Sequence, residues 1–100
     1  QYFSSVIHQI EYLYRLARVK SKLDYSQEIL IENYKKVLDF KADNSYYVPM
    51  SALQIALIYE EINNIIEAES FYNQCLSISG FDYQRGIHQK ARAGLERILN

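Results

Sequence analysis

Residues 49–80 have the sequence PMSALQIALIYEEINNIIEAESFYNQCLSISG, and this stretch decides the predicted fold. Its apolar residues recur at steps of three and four, which is typical of α-helices rather than strands. Pro49 suits the first turn of a helix, where its missing N–H is not needed. Asn63-Asn64 can supply the left-handed residue that ends a helix, and Gly80 can end the next one. The stretch therefore predicts two helices joined by a tight turn.

Helical spacing continues on both sides of this hairpin, and strand-like alternation does not persist anywhere. Short connections between helices favour antiparallel neighbours, so the chain is predicted to be all-α and built from antiparallel helix hairpins. The five predicted helices run from about Tyr2 to Lys22, from a cap at Asp24 or Ser26 to about Ala42, from Pro49 to near Ile62, from Ile65 or Ile66 to about Ser79, and from about Tyr83 to Leu99, with Asp43-Asn44-Ser45 as a turn.

Composition excludes several other classes of protein. The 100 residues are 49% hydrophobic and 23% charged, which is typical of one folded domain. Three Gly and one Pro are too few for a many-stranded fold, and a single Cys excludes an internal disulfide and a cysteine-based zinc site. No apolar run reaches the ~18 residues of a transmembrane helix. The net charge of −1 gives no overall attraction to nucleic acid.

Charge is unevenly distributed along the chain. Residues 1–22 hold four basic and one acidic residue, whereas residues 43–79 hold five acidic residues and no Lys or Arg. Residues 80–100 hold four basic and two acidic residues. An acidic hairpin therefore lies between basic helices, and we expect weak attraction where they pack together.

Residues 49–82 resemble a tetratricopeptide repeat (TPR), a pair of antiparallel helices with small and aromatic residues at fixed offsets. Counted from Pro49, the key repeat positions hold Ala56, Tyr59, Ala68, Tyr72 and Cys75, and Gly80 stands where Pro is usual. The resemblance implies a short TPR-like solenoid in which 1–42 is a degenerate helix pair and 83–99 a capping helix. It also implies a single domain that forms the C-terminal part of a longer chain.

Residues 80–95 resemble the C-terminal stretch of one eukaryotic TPR family, linked to inclusion-body clearance at the mitochondrial outer membrane and on lipid droplets. Gly86 replaces an Arg that is usual in that family. The resemblance implies a cytoplasmic protein that could also associate peripherally with the mitochondrial outer membrane or with lipid droplets. The matching residues are Tyr83, Ile87, His88, Ala93 and Leu95.

The groove-lining positions of the TPR fold provide the main candidate binding site. They form an apolar strip with two carboxylates at one end, which would suit a helical or extended peptide with hydrophobic anchors and a basic end. The alternative, which the sequence leaves equally open, is that further repeats or the first helix cover this strip. Tyr46-Tyr47 form a second candidate surface, with packing under their loop as the alternative. The strip consists of Met50, Leu53, Gln54, Leu57, Glu60 and Glu61.

No combination of residues indicates catalysis, a cofactor or a metal. His8 and His88 are far apart in sequence, and metal binding needs three or four converging ligands. Cys75 occupies a position that requires a small residue, so a buried, inert thiol is predicted. The basic residues of the last helix suggest either a solvated cap or a weak nucleic-acid or anionic-membrane patch, and without interleaved aromatics no nucleic acid is expected. They are Arg85, Lys90, Arg92 and Arg97.

Together these features predict a non-enzymatic protein–protein interaction or scaffold module without cofactors. Its expected partner is a protein, a peptide or the rest of its own longer chain. The alternative is a peptide-sensing regulatory domain of a TPR-type transcriptional or signalling regulator.

Overall fold

The computed structural model describes residues 6–40 and 45–99, which form five α-helices and no strand. The all-α prediction is therefore confirmed. The predicted helix start near Tyr2 and the turn residues Asp43 and Asn44 lie outside the described residues. The second helix ends at Leu38, about four residues before its predicted end near Ala42. The helices are α1 (Val6–Lys22), α2 (Gln27–Leu38), α3 (Tyr47–Glu61), α4 (Ile65–Ser77) and α5 (Gln84–Leu99).

Helices α2 and α4 each begin after an N-cap residue, and a left-handed residue lies one or two positions before that cap. The Ser26 Oγ accepts a hydrogen bond from the backbone N–H three residues on, at 3.3 Å. Asp24, the alternative cap, instead has φ 60° and ends α1. Asn63 has φ 64°, as expected for the residue that stops α3. The Asn64 Oδ1 then caps α4, so both hairpin turns are encoded locally.

The turn from α4 to α5 begins two residues earlier than predicted. Ile78 is extended, with φ −97° and ψ 128°, so its carbonyl leaves the helix. That carbonyl lies 2.7 Å from the Nε2 of His88, which donates the hydrogen bond while its ring is 5% exposed. Gly80 has φ 80° and supplies a left-handed residue, as does Tyr83. His88 is thus a structural residue that fixes the turn.

Helix α3 packs against each of the other four helices. One side of it belongs to a core cluster with α4 and α5, through Ala52, Leu53 and Ala56. The other side belongs to a cluster with α1 and α2, through Val48 and Ile55. Because two cores meet on this helix, its sequence is apolar on nearly every side.

The helices alternate between two layers. Helix α1 contacts α3 and α3 contacts α5, whereas α2 packs on α1 and α3, and α4 packs on α3 and α5. The smallest dimension of the molecule, 18 Å, matches two helices side by side. The layer of α1, α3 and α5 carries the residues predicted to line a groove.

Helix α2 leaves one isoleucine partly exposed and buries an asparagine instead. Ile29 is 40% exposed, whereas Asn33 is buried in its place. The Asn33 Nδ2 donates to the Ile29 carbonyl at 2.6 Å, and its Oδ1 accepts from the Lys20 Nζ at 3.1 Å. These two bonds satisfy the buried amide, which explains how a polar side chain is tolerated between α1 and α2.

Gly94 and Gly86 on α5 provide a matched test of how α5 packs on the hairpin. A Cβ at Gly94 would overlap the ring of Tyr72, whereas a Cβ at Gly86 would meet nothing. We expect Gly94→Ala to destabilise the fold by ~1–3 kcal/mol through overpacking. Gly86→Ala should raise stability by ~0.5–1 kcal/mol, because Ala loses less backbone entropy in a helix.

Urea denaturation of the two variants and the parent chain would measure both effects. Equal stability of Gly94→Ala and Gly86→Ala would contradict the close approach of Tyr72 to α5.

Candidate functional site

The predicted groove residues of α3 separate into four environments. Leu53 is 1% exposed and belongs to the core cluster that also contains Ile87 and Ala91 of α5. Its side chain offers no surface to a partner, because α5 packs over that side of α3. The other predicted residues lie in separate surroundings along the helix, so the structure does not bring the whole strip together.

One end of the strip lies in an open cleft of about 390 Å³, which we call the Leu57 cleft. Leu57 is 37% exposed, and it is joined there by Gln54 and Glu61 of α3. The opposite wall comes from the end of α1, the following turn and the start of α2. The wall and floor residues are Ser21, Asp24, Tyr25, Ser26, Gln27, Leu30 and Ile58.

The rim of the Leu57 cleft carries a carboxylate that no cation neutralises among the described contacts. The Gln27 Nε2 donates to the Glu61 Oε1 at 2.8 Å, and this amide is uncharged. Leu30 is 7% exposed, so the floor is closed by an apolar side chain. The cleft thus combines an apolar patch with a negative edge.

The other end of the strip adjoins two recesses at the beginning of α3. Met50 and Tyr46 line one of about 340 Å³, together with Ile87 and Lys90 of α5. Tyr46 and Tyr47 line the second, of about 440 Å³, which also contains Tyr83. Sequence reasoning identified the two adjacent tyrosines as an interface candidate but did not connect them with Tyr83.

Glu60 is engaged within the molecule and does not form a free end of the groove. The Arg97 Nε donates to its Oε2 at 2.7 Å, and the Arg97 Nη2 donates to its Oε1 at 2.9 Å. The Tyr72 hydroxyl donates to the same Oε1 at 2.5 Å. This triad ties α3, α4 and α5 together, because each helix supplies one member.

The triad shifts the pKa values of its members. The hydrogen bond from Arg97 lowers the pKa of Glu60, burial opposes this effect, and the bond from Tyr72 adds to it. Desolvation, followed by the bond to Glu60, raises the pKa of Tyr72. Tyr72 therefore remains a protonated donor and Glu60 a charged acceptor at neutral pH.

The two ends of the helix stack differ in polarity. Outward-facing positions of α1 carry an apolar stripe of exposed or half-buried side chains, whereas those of α5 are mainly polar. Polar terminal helices end a stack, and apolar ones leave a face to be covered. The α1 stripe consists of Tyr12, Leu16, Val19 and Leu23, and the outward α5 positions hold Gln89, Arg92, Ala93 and Glu96.

Metal-ligand clusters are absent from the described ranges, and the one cysteine there is buried. No group of three or more His, Cys, Asp or Glu side chains there could hold a metal ion. Cys75 is a free, fully buried cysteine, and burial raises the pKa of its thiol to about 11. No helix formed by residues 6–40 and 45–99 is long and apolar enough to cross a membrane.

No family model matches the chain, and no curated protein or solved structure is significantly similar to it. Its function therefore has to be inferred from the geometry of the clefts and side-chain clusters just described.

Glu60→Gln tests the triad through the pH dependence of stability. A carboxylate whose folded pKa is lowered stabilises the fold above its unfolded pKa of about 4.3, and this contribution is lost as pH falls through the folded value. We expect the variant to be about 1 kcal/mol less stable at pH 7, because Glu60 is only partly shielded from solvent. The difference should shrink as pH falls below about 5.

The neighbouring substitution Glu61→Gln is the control, because the exposed Glu61 carboxylate bonds only a neutral amide. The stability of Glu61→Gln should equal that of the parent chain at pH 7 and at pH 3. A difference between Glu60→Gln and parent that persists unchanged at pH 3 would argue against the charged triad.

Cys75 offers an independent probe of the core. With its thiol pKa near 11, about one molecule in a thousand is a thiolate at pH 8. We expect a disulfide reagent such as DTNB to label the folded protein far more slowly than the urea-unfolded protein. Equal labelling rates in the two states would show that Cys75 is accessible.

Proposed function

We propose that this chain is a non-enzymatic protein-interaction module that binds a peptide segment of a partner in the Leu57 cleft. The observation that carries the proposal is the cleft itself, an open concavity beside an exposed leucine with a carboxylate at its rim. Concave sites lined by apolar side chains and a few polar groups are typical binding sites.

The chemistry of the cleft selects the kind of segment. Leu57, Ile58 and Leu30 would accept an apolar side chain. Glu61 accepts its hydrogen bond from a neutral amide, so its negative charge is available to a Lys or Arg of the partner. The preferred segment is therefore a short peptide in which a basic residue follows or precedes an apolar anchor.

The surrounding fold is proposed to be a short TPR-like solenoid. In support, Ala56 and Ala68 are fully buried in the core between α3 and α4, and α1, α3 and α5 contact one another in order. Helix α5 would act as the cap, because its outward face is polar. The α1 stripe would stack on the rest of a longer chain or on a partner.

Peptide selection tests the proposed cleft. A displayed peptide library selected on the parent chain should yield sequences that pair an apolar residue with Lys or Arg. Leu57→Asp should weaken the selected peptides at least tenfold, since a buried charge replaces the apolar contact, and Glu61→Lys should weaken them through charge repulsion. Fluorescence anisotropy with labelled peptides would measure both changes.

Ile66→Asp is the matched control, because Ile66 is 81% exposed and lies on α4 in the other layer. This variant should bind as the parent does, and circular dichroism should show that all three variants remain helical. Failure of the library to enrich any sequence, or unchanged binding to Leu57→Asp, would rule out the cleft as the binding site.

A further inference from the structure

The recess at the beginning of α3 has a chemistry different from that of the Leu57 cleft. Its volume is about 440 Å³, and three tyrosines and a carboxylate are among its lining side chains. We call it the tyrosine recess. It is formed by Ile7, Ser45, Tyr46, Tyr47, Asp82 and Tyr83.

The rings of the tyrosine recess stand nearly perpendicular to each other. Tyr46 and Tyr47 have ring centroids 5.0 Å apart with planes at 70°, and Tyr46 and Tyr83 have centroids 6.1 Å apart at 72°. Tyr14, which is 7% exposed, contacts Tyr46 and Tyr47 and supports them from the core. Aromatic rings in the wall of a hollow can attract a cation through their π electrons.

The backbone of Tyr83 is held in an unfavourable conformation. Its φ is 65°, in the left-handed region that bulky residues rarely adopt, and its side chain is 80% exposed. Neither the core nor the turn requires an aromatic at this position, since the ring is mostly in solvent. A strained, exposed aromatic beside a recess is a feature expected of a binding site rather than of a packing site.

Two further groups of the recess lack an internal explanation. The Ser45 hydroxyl is buried and has no hydrogen-bond partner, although the residue is only 6% exposed. Asp82 is exposed and lies next to Tyr83. The cation–π contacts between described side chains lie elsewhere, with Lys20 over Tyr25 and Lys35 over Phe71. The recess thus offers aromatic side chains and a carboxylate to an external ligand.

We propose that the tyrosine recess binds a methylated ammonium group, as carried by choline or trimethyllysine. Tyr46, Tyr47 and Tyr83 would contact the methyl groups, and Asp82 would balance the positive charge. Arg15 interacts with Tyr47 but is itself paired with Glu11, and Lys90 lines the neighbouring recess. Because these cations oppose the guest, we expect millimolar affinity for the free head group.

The proposal is tested by comparing choline with dimethylbutanol, in which carbon replaces the charged nitrogen. Amide NMR titration should show saturable shifts at residues 45–47 and 82–83, with choline bound at least tenfold more tightly than its neutral isostere. Equal affinity, or no saturable shift with millimolar choline, would overturn the proposal. Tighter binding of trimethyllysine than of phosphocholine would assign the site to protein ligands, and the reverse to lipid head groups.

Tyr83→Gly separates binding from folding. Glycine adopts φ 65° without strain, so the melting temperature should stay the same or rise while choline affinity falls at least tenfold. Tyr25→Ala removes a different exposed tyrosine and should leave choline binding unchanged. Parent-like affinity in Tyr83→Gly would overturn the assignment of the recess.

Asp82→Asn should weaken choline several-fold without affecting dimethylbutanol, whereas Asp39→Asn, at an exposed acid beyond α2, should change neither. Leu57→Asp should bind choline as the parent does, because Leu57 lies at the other end of α3. The experiments can therefore disprove ligand binding in the tyrosine recess and peptide binding in the Leu57 cleft independently of each other.

Discussion

The burial of α3 on almost every side is the constraint on which the rest of the molecule depends. Both core clusters pass through this helix, and each of the other helices packs on it. Small residues such as Ala52 and Ala56 keep it close to its neighbours, and larger ones such as Ile55 fill the space on the α1–α2 side. Only its two ends remain accessible, and both candidate binding regions lie there.

The attachment of α5 depends on one polar cluster beside an apolar contact. The Tyr72 ring packs into the space beside Gly94, which has no side chain. The Tyr72 hydroxyl donates a hydrogen bond to the Glu60 carboxylate, and two nitrogens of Arg97 donate to the same carboxylate. A bidentate pair fixes direction as well as distance, so it sets how α5 lies across the hairpin. Among the described residues, one ion pair, between Glu60 and Arg97, joins the acidic hairpin to the basic last helix.

The two candidate binding regions lie on the same helix layer and differ in chemistry. Ten residues separate Tyr47 from Leu57, which corresponds to about 15 Å along a helix. An extended peptide of about five residues covers that distance. The two regions are thus separate candidate sites, each with its own proposed ligand.

Local patterns in the sequence determined the number of helices, most of their limits and the break at Asn63, because periodicity and left-handed residues act over a few positions. The tertiary structure alone decided which faces are covered. It buried Leu53 under α5, paired Glu60 with a residue 37 positions away, and brought Tyr83 against Tyr46. Such contacts depend on how separate helices pack, and no spacing within one helix encodes them.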